Sequence, residues 1–126
     1  MSHFSREIDL FRGQTIQSTQ QRILASFDGP ARAIRAALAI RDSAVRLGVQ
    51  VQVGLHTGEC DMIQNQLSGT AVDLAINVAA FSEQSQVVVS STVKDLVAGS
   101  GLLFTSKAHA FLSEELPSCA LFQVTS

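Results

Sequence analysis

The sequence predicts an α+β domain, with helices packed on one face of a mainly antiparallel sheet. Three observations predict it. Two short arms that alternate like strands, Gln14–Ser18 and Arg22–Phe27, flank a polar tip, Thr19-Gln20-Gln21-Arg22. A long apolar stripe of helical period follows, from Pro30 to about Leu47. Short β-rich runs around Val53 and Val88 then alternate with further helical patterns.

Residues 3–11 form a short helix with Phe4, Ile8 and Phe11 on one side, stopped by Arg12-Gly13. In the hairpin, Ile16, Ile23, Ala25 and Phe27 point inward and Leu24 outward. Asp28-Gly29-Pro30 starts the long helix: Asp28 or Gly29 caps it, and proline is tolerated in the first turn because its missing N–H has no partner there. The buried stripe is Ala33, Ile34, Ala37, Leu38, Ile40, Ala44, Val45 and Leu47, and Gly48 ends the helix. Val49–Glu59 reads as a strand with Val49, Val51, Val53, Leu55 and Thr57 on one face. Gly54 and Gly58 lack side chains, so another backbone or a partner approaches closely there. Glu59–Gln64 folds back as a second strand, and Asn65–Ser68 is a polar loop.

Gly69–Phe81 is a second long helix, with Ala71, Val72, Ala75, Val78 and Ala79 inward. Asp73 and Asn77 lie one turn apart on its outer face. Gln86–Ser90 is a strand and Thr92–Ala98 a short helix, capped by Thr92 with Asp95 and ended by Gly99. Phe104, Phe111 and Ala120–Val124 mark short terminal strands. This order, in a single domain over residues 1–126, is close to a ferredoxin-like plan.

Composition bounds the function. The 126 residues carry a formal net charge of −2 with only 9 Lys and Arg, which is no footprint for nucleic acid. The arginines between Arg22 and Arg46 read as a solvated helix face. There is no Trp or Tyr, and the seven Phe mostly fall at strand ends, where they suit core packing. Cys60 and Cys119 are too few and too far apart for a disulfide framework or a paired metal site, so a reducing, cytoplasmic setting is expected. No apolar run approaches the ~20 residues of a membrane helix.

Several motifs in order resemble one family. Phe27-Asp28-Gly29-Pro30-Ala31-Arg32-Ala33-Ile34 is similar to the opening of the long helix in class III adenylate and guanylate cyclase domains. Val53-Gly54-Leu55-His56-Thr57-Gly58-Glu59 resembles that family's central strand, and Gly69-Thr70-Ala71-Val72 the start of its active-site helix. Val87-Val88-Val89-Ser90 through Asp95-Leu96-Val97-Ala98-Gly99-Ser100-Gly101 resembles its C-terminal part. The resemblance runs from about Phe11 onward. It implies a dimer that converts a nucleoside triphosphate into a cyclic monophosphate and pyrophosphate, using two metal ions held by two aspartates. A lysine and an aspartate would read the base, and an asparagine and an arginine would stabilise the transition state.

By the same resemblance, this chain departs from the pattern at every such position. The first metal aspartate belongs to an N-terminal strand that the chain lacks. The second belongs to the hairpin tip, where Gln21 stands in its place, and an amide is a poor ligand for a hard dication. The base-reading pair corresponds to Gln17 and Gln66, the transition-state pair to Asp73 and Asn77. Loss of one preorganised donor costs ~100- to 1000-fold in rate, and here several are missing together.

The expectation is therefore a shortened, catalytically inactive cyclase homology domain with a regulatory, dimerising or scaffolding role. It carries no cofactor and no metal site, and its partners are a second copy or another protein, not nucleic acid or membrane. Two alternatives remain open. One is a small-ligand module using Gln17, Gln66, Asp73 and Asn77; the other is a cyclase with unorthodox ligands. His56, beside two glycines and with no paired nucleophile, reads as structural, as do His3 and His109. His56, Cys60 and Asp61 match no strong ligand spacing. The hairpin and the Val51–Thr57 strand would flank the missing strand. The gap is expected to be closed by re-pairing, by the N-terminal helix or by a dimer partner, because open strand edges are a liability.

Overall fold

The structure, a computed structural model, describes residues 4–18, 23–56, 61–63, 66–68, 70–82, 85–110 and 119–125. Helix α1 (Ser5–Leu10) is followed by strands β1 (Gln14–Ser18) and β2 (Ile23–Ser26), helix α2 (Pro30–Leu47) and strand β3 (Gln52–Leu55). Strands β4 (Asp61–Ile63) and β5 (Gln66–Ser68), helix α3 (Thr70–Ala80), strand β6 (Gln86–Ser90) and helix α4 (Ser91–Leu96) come next. Strands β7 (Phe104–Ala110) and β8 (Cys119–Val124) complete the order. The main sheet runs β3-β6-β8-β7, and β1-β2 and β4-β5 are separate hairpins. Among the described residues, only the β3–β6 pairing is parallel. The expected α+β architecture on a mainly antiparallel sheet is what forms.

Strand β6 organises the core. Val87, Val88 and Val89 are all fully buried. Successive side chains point to opposite faces. Val87 and Val89 accordingly pack with Ile34 and Ala37 of α2, Val93 of α4, Val97 and Val124, while Val88 packs with Leu74 and Val78 of α3, Cys119 and Leu121. Helices therefore cover both faces of the sheet here, rather than the single face expected. Three valines in a row leave the strand no polar side, so each face needs its own cover.

Helix α2 starts and stops for the expected reasons. Gly29 is its extended N-cap with Pro30 in the first position, and Gly48 closes it with φ +73°. No side chain caps the N-terminus, so the cap is Gly29 and not Asp28. Its inner face differs from the predicted stripe. Val45 and Leu47 are exposed, whereas Ala36 and Ser43 are buried. Ser43 goes inside because α1 packs there: its Oγ donates to Glu7 Oε1 at 2.7 Å and accepts from Arg46 at 3.1 Å. Phe4 and Ile8 are buried as well. Of the arginines expected on a solvated face, Arg35 and Arg46 are exposed, while Arg32 and Arg41 are half-buried and Arg22 lies outside the described residues; Arg41 pairs with neighbouring Asp42, and Arg35 donates to the Ser100 carbonyl.

Other boundaries move for tertiary reasons. Of the strand expected over Val49–Glu59, β3 holds Gln52–Leu55, the residues in register with Gln86–Val89, and Val49–Val51 lie outside it; Thr57–Glu59 lie outside the described residues. The expected loop Asn65–Ser68 holds β5, whose Leu67 faces Met62 across the hairpin. Leu74 joins the inner face of α3, which the predicted set omitted. Helix α4 begins at Ser91 without a side-chain cap, so Thr92 is not its cap. Phe111 and Gly58 lie outside the described residues.

Gly54 shows why that position carries no side chain. A Cβ there would lie 2.1 Å from the Ala79 backbone nitrogen and 2.4 Å from its Cα. Helix α3 thus rests its backbone directly on β3, the close approach expected at this glycine.

Nothing within the described residues closes the flank of β3 or of β2. Among them, β2 pairs only with β1 and β3 only with β6, and α1 packs on α2 and β1. Among the described residues, closure by re-pairing or by the N-terminal helix is not found. Helix α1 packs on α2 and β1 instead, and its Ile8, with Phe4 just before it, is buried.

Candidate functional site

The predicted site residues sit on two hairpins and one helix. Gln17 of β1 lies opposite Leu24, just after a bulge between Thr15 and Gln17. Gln66 of β5 lies opposite Ile63. Asp73 and Asn77 are one turn apart on α3, and Asn77 is exposed. Strand β5 adjoins both β1 and α3. The backbone segments that carry Gln17, Gln66, Asp73 and Asn77 are therefore neighbours, a juxtaposition that sequence spacing alone does not reveal. Gln21 and Cys60 lie outside the described residues. Among the described residues, no three His, Cys, Asp or Glu side chains converge as a metal site.

His56 follows β3, and Ser90 ends the adjacent parallel strand β6. Their side chains meet with His56 Nδ1 2.8 Å from Ser90 Oγ. Ser90 is fully buried, so this hydroxyl is sequestered from any bound molecule. The pair ties the ends of two core strands together. Burial of the ring disfavours its charged form and lowers the His56 pKa below the usual histidine value of 6.5.

A pH dependence follows. Between the lowered folded value and 6.5, the unfolded chain binds a proton that the folded chain refuses. Stability therefore rises with pH through that window and is lost as pH falls below about 6.5. The urea midpoint, measured from pH 8 to pH 5, is expected to drop over this range. His56→Asn, which keeps a polar group near Ser90 without titrating, should flatten the drop; an unchanged slope would remove His56 as its source.

An open cleft of about 390 Å³ lies at the start of α2, lined by Asp28, Arg32, Arg35, Leu96 and Val97 among others. It shares no residue with the predicted set. Sequence reasoning did not single it out, although Arg32 and Arg35, three residues apart after a helix start, were its visible signal.

No protein-family model matches the sequence, and no curated protein matches it. Solved structures do. An adenylate/guanylate cyclase/hydrolase from Silicibacter pomeroyi superposes with a TM-score of 0.87 at 23% identity, covering 98% of this chain and 77% of that one. An adenylate cyclase from Trypanosoma brucei gives 0.83 at 12% identity, covering 98% and 75%. The guanylate cyclase domain of RhGC from Catenaria anguillulae, solved in complex with GTP, gives 0.77 at 14% identity, covering 98% and 78%. None of the helices among the described residues is long and apolar enough to cross a membrane. These superpositions, each over 98% of the chain, make the fold of this chain that of the adenylate and guanylate cyclase domains.

Proposed function

We propose that the chain is a catalytically inactive, nucleotide-cyclase-like domain that acts in signalling by dimerising or by docking to another protein. The observation that carries this reading is a kept fold beside altered chemistry. The core valines, the Gly54 contact and both α2 caps are in place. The residues that the resemblance sets at the metal, base and transition-state positions are Gln21, Gln17, Gln66, Asp73 and Asn77.

The cyclase likeness implies divalent metals, and this donor set does not fit them. Gln17, Gln21, Gln66 and Asn77 offer neutral amides, and a lone carboxylate at Asp73 does not make the all-oxygen, charge-rich cage a hard dication takes. Asn77 in place of a cation removes a charge-assisted contact to phosphate. Asp73 in place of an amide adds negative charge where a triphosphate would lie.

The test is an assay with ATP and GTP in magnesium and in manganese. No cyclic nucleotide above a no-enzyme control is the expected result. Product that disappears in Asp73→Ala would overturn the reading and establish a cyclase with unorthodox ligands. Size-exclusion with light scattering tests the dimer, and a monomer at high concentration would leave only docking.

A second reading is favoured by the neighbourhood of β1, β5 and α3. Gln17, Gln66 and Asn77 supply donors and acceptors, and Asp73 acceptors, which suit a small neutral polar ligand better than a triphosphate. Thermal shifts with nucleosides and other neutral metabolites distinguish the two readings. A stabilising compound, whose effect is lost in Asn77→Ala, supports the ligand module; the absence of any shift sinks it.

A further inference from the structure

The cleft between α2 and the end of α4 holds positive charge that nothing around it uses. Helix α2 carries four arginines, Arg32, Arg35, Arg41 and Arg46. Arg41 is paired with Asp42, and Arg46 donates to Ser43 Oγ. Arg32 and Arg35 line the cleft, three residues apart and so on one face of the helix. Arg32 is half-buried and makes no side-chain hydrogen bond or ion pair among the described residues. Arg35 spends one N–H on the Ser100 carbonyl at 3.3 Å, which ties its guanidinium to the segment after α4. A guanidinium has five donors, so most of those at the cleft stay available. Asp28 is the one carboxylate among the described lining residues, and no ion pair joins it to either arginine. Two cations against one carboxylate leave one net positive charge.

The rest of the described wall is apolar. Pro30 and Ala31 lie on the α2 side, Leu96 and Val97 on the α4 side. Leu96 is exposed although large and apolar, whereas Val97 beside it is buried in the core. The cleft holds about 390 Å³, near the lower end of the range for small-molecule sites.

We propose that this cleft binds a small organic carboxylate, a single anionic group on a short apolar body. A planar guanidinium matches a carboxylate through two parallel N–H···O bonds. A concave, partly apolar wall keeps water from the pair and strengthens it relative to open solvent. The single net positive charge favours a monoanion, whereas a triphosphate would bring surplus negative charge against Asp28. The apolar body covers Leu96, and the volume limits it to about one ring or a short chain. The cleft shares no residue with Gln17, Gln66, Asp73 and Asn77, so the proposal stands whether or not the chain makes a cyclic nucleotide.

Amide NMR shifts of the isotope-labelled, intact chain test it, with phenylacetate as the probe. Saturable shifts are expected in Asp28–Arg35 and Leu96–Ser100, with an affinity in the millimolar range. Phenylacetamide and acetate should bind at least about tenfold more weakly, because one lacks the charge and the other the apolar body. Arg32→Gln and Arg35→Gln should each weaken phenylacetate about tenfold. Arg41→Gln, on the same helix but outside the cleft, should leave it unchanged. Glutamine is a good helix former, so the three variants keep the fold, and their remaining amide shifts check this. A chain with Glu114→Gln and Glu115→Gln should bind as the parent does. No saturable shift, equal binding of phenylacetamide or acetate, or equal weakening by Arg41→Gln would each overturn the proposal. So would tighter binding by the Glu114→Gln, Glu115→Gln chain, because the chain's own acids would then be the partners of these arginines.

Discussion

Gly54→Ala lowers the stability of the fold by about 3 kcal/mol, the upper end of the usual cost of overpacking. The new methyl group would lie 2.1 Å from the Ala79 nitrogen and 2.4 Å from its Cα. Backbone atoms inside a helix cannot rotate aside as a side chain can. Either α3 lifts from β3 and loosens Leu74 and Val78, or β3 shifts against β6. Urea denaturation should show a lower midpoint with an unchanged slope, and the thermal midpoint should fall by roughly 10 °C. Ala79→Gly in the same background should restore little, because the two closest atoms are backbone and remain. Full rescue by Ala79→Gly, or a loss below about 0.5 kcal/mol, would show that the helix does not rest on the strand this closely.

Leu121→Ala is the second large effect, expected at about 3 kcal/mol within the range of 2–5 for buried leucine truncation. Leu121 is fully buried on β8, the strand that pairs with both β6 and β7. It fills the α3 side of the sheet with Leu74, Val78, Val88 and Cys119. A cavity there has little chance of collapsing, because hydrogen-bonded strands hold its floor on both sides. Leu121→Met keeps the volume and should cost less than about 1.5 kcal/mol. Leu103→Ala, at an exposed leucine, should change stability by no more than about 0.5 kcal/mol. If the Leu121 and Leu103 variants melt alike, the α3 side is not a packed core.

Much of the fold was legible because local chemistry decided it. Gly29-Pro30 and Gly48 set the ends of α2 through backbone conformations that few other residues allow. Val87-Val88-Val89 declared a buried strand, and Gly54 a close backbone approach. What was not legible depended on partners far along the chain. Ser43 is polar and would be placed outside by pattern, yet Glu7 from α1 makes its burial affordable in hydrogen bonds. Leu67 is a single apolar residue in a polar stretch, and only its pairing with Met62 makes it part of a strand. Val45 and Leu47 continue an apolar period into solvent, because periodicity cannot tell where the opposing layer ends.

The candidate site divides in the same way. The identities of Gln17, Gln21, Gln66, Asp73 and Asn77, and the one-turn spacing of the last two, are sequence facts. They account for the chemistry proposed, since amides and one carboxylate neither cage a hard dication nor neutralise a triphosphate. The adjacency of β1, β5 and α3 and the sequestered His56–Ser90 contact belong to tertiary structure. By itself, the sequence determined which residues could bend, cap, alternate and bind, because those properties reside in single side chains and their neighbours. Only the tertiary structure decided which faces were covered and which strands paired, because burial and strand pairing are properties of two segments brought together, and neither segment encodes the other's position.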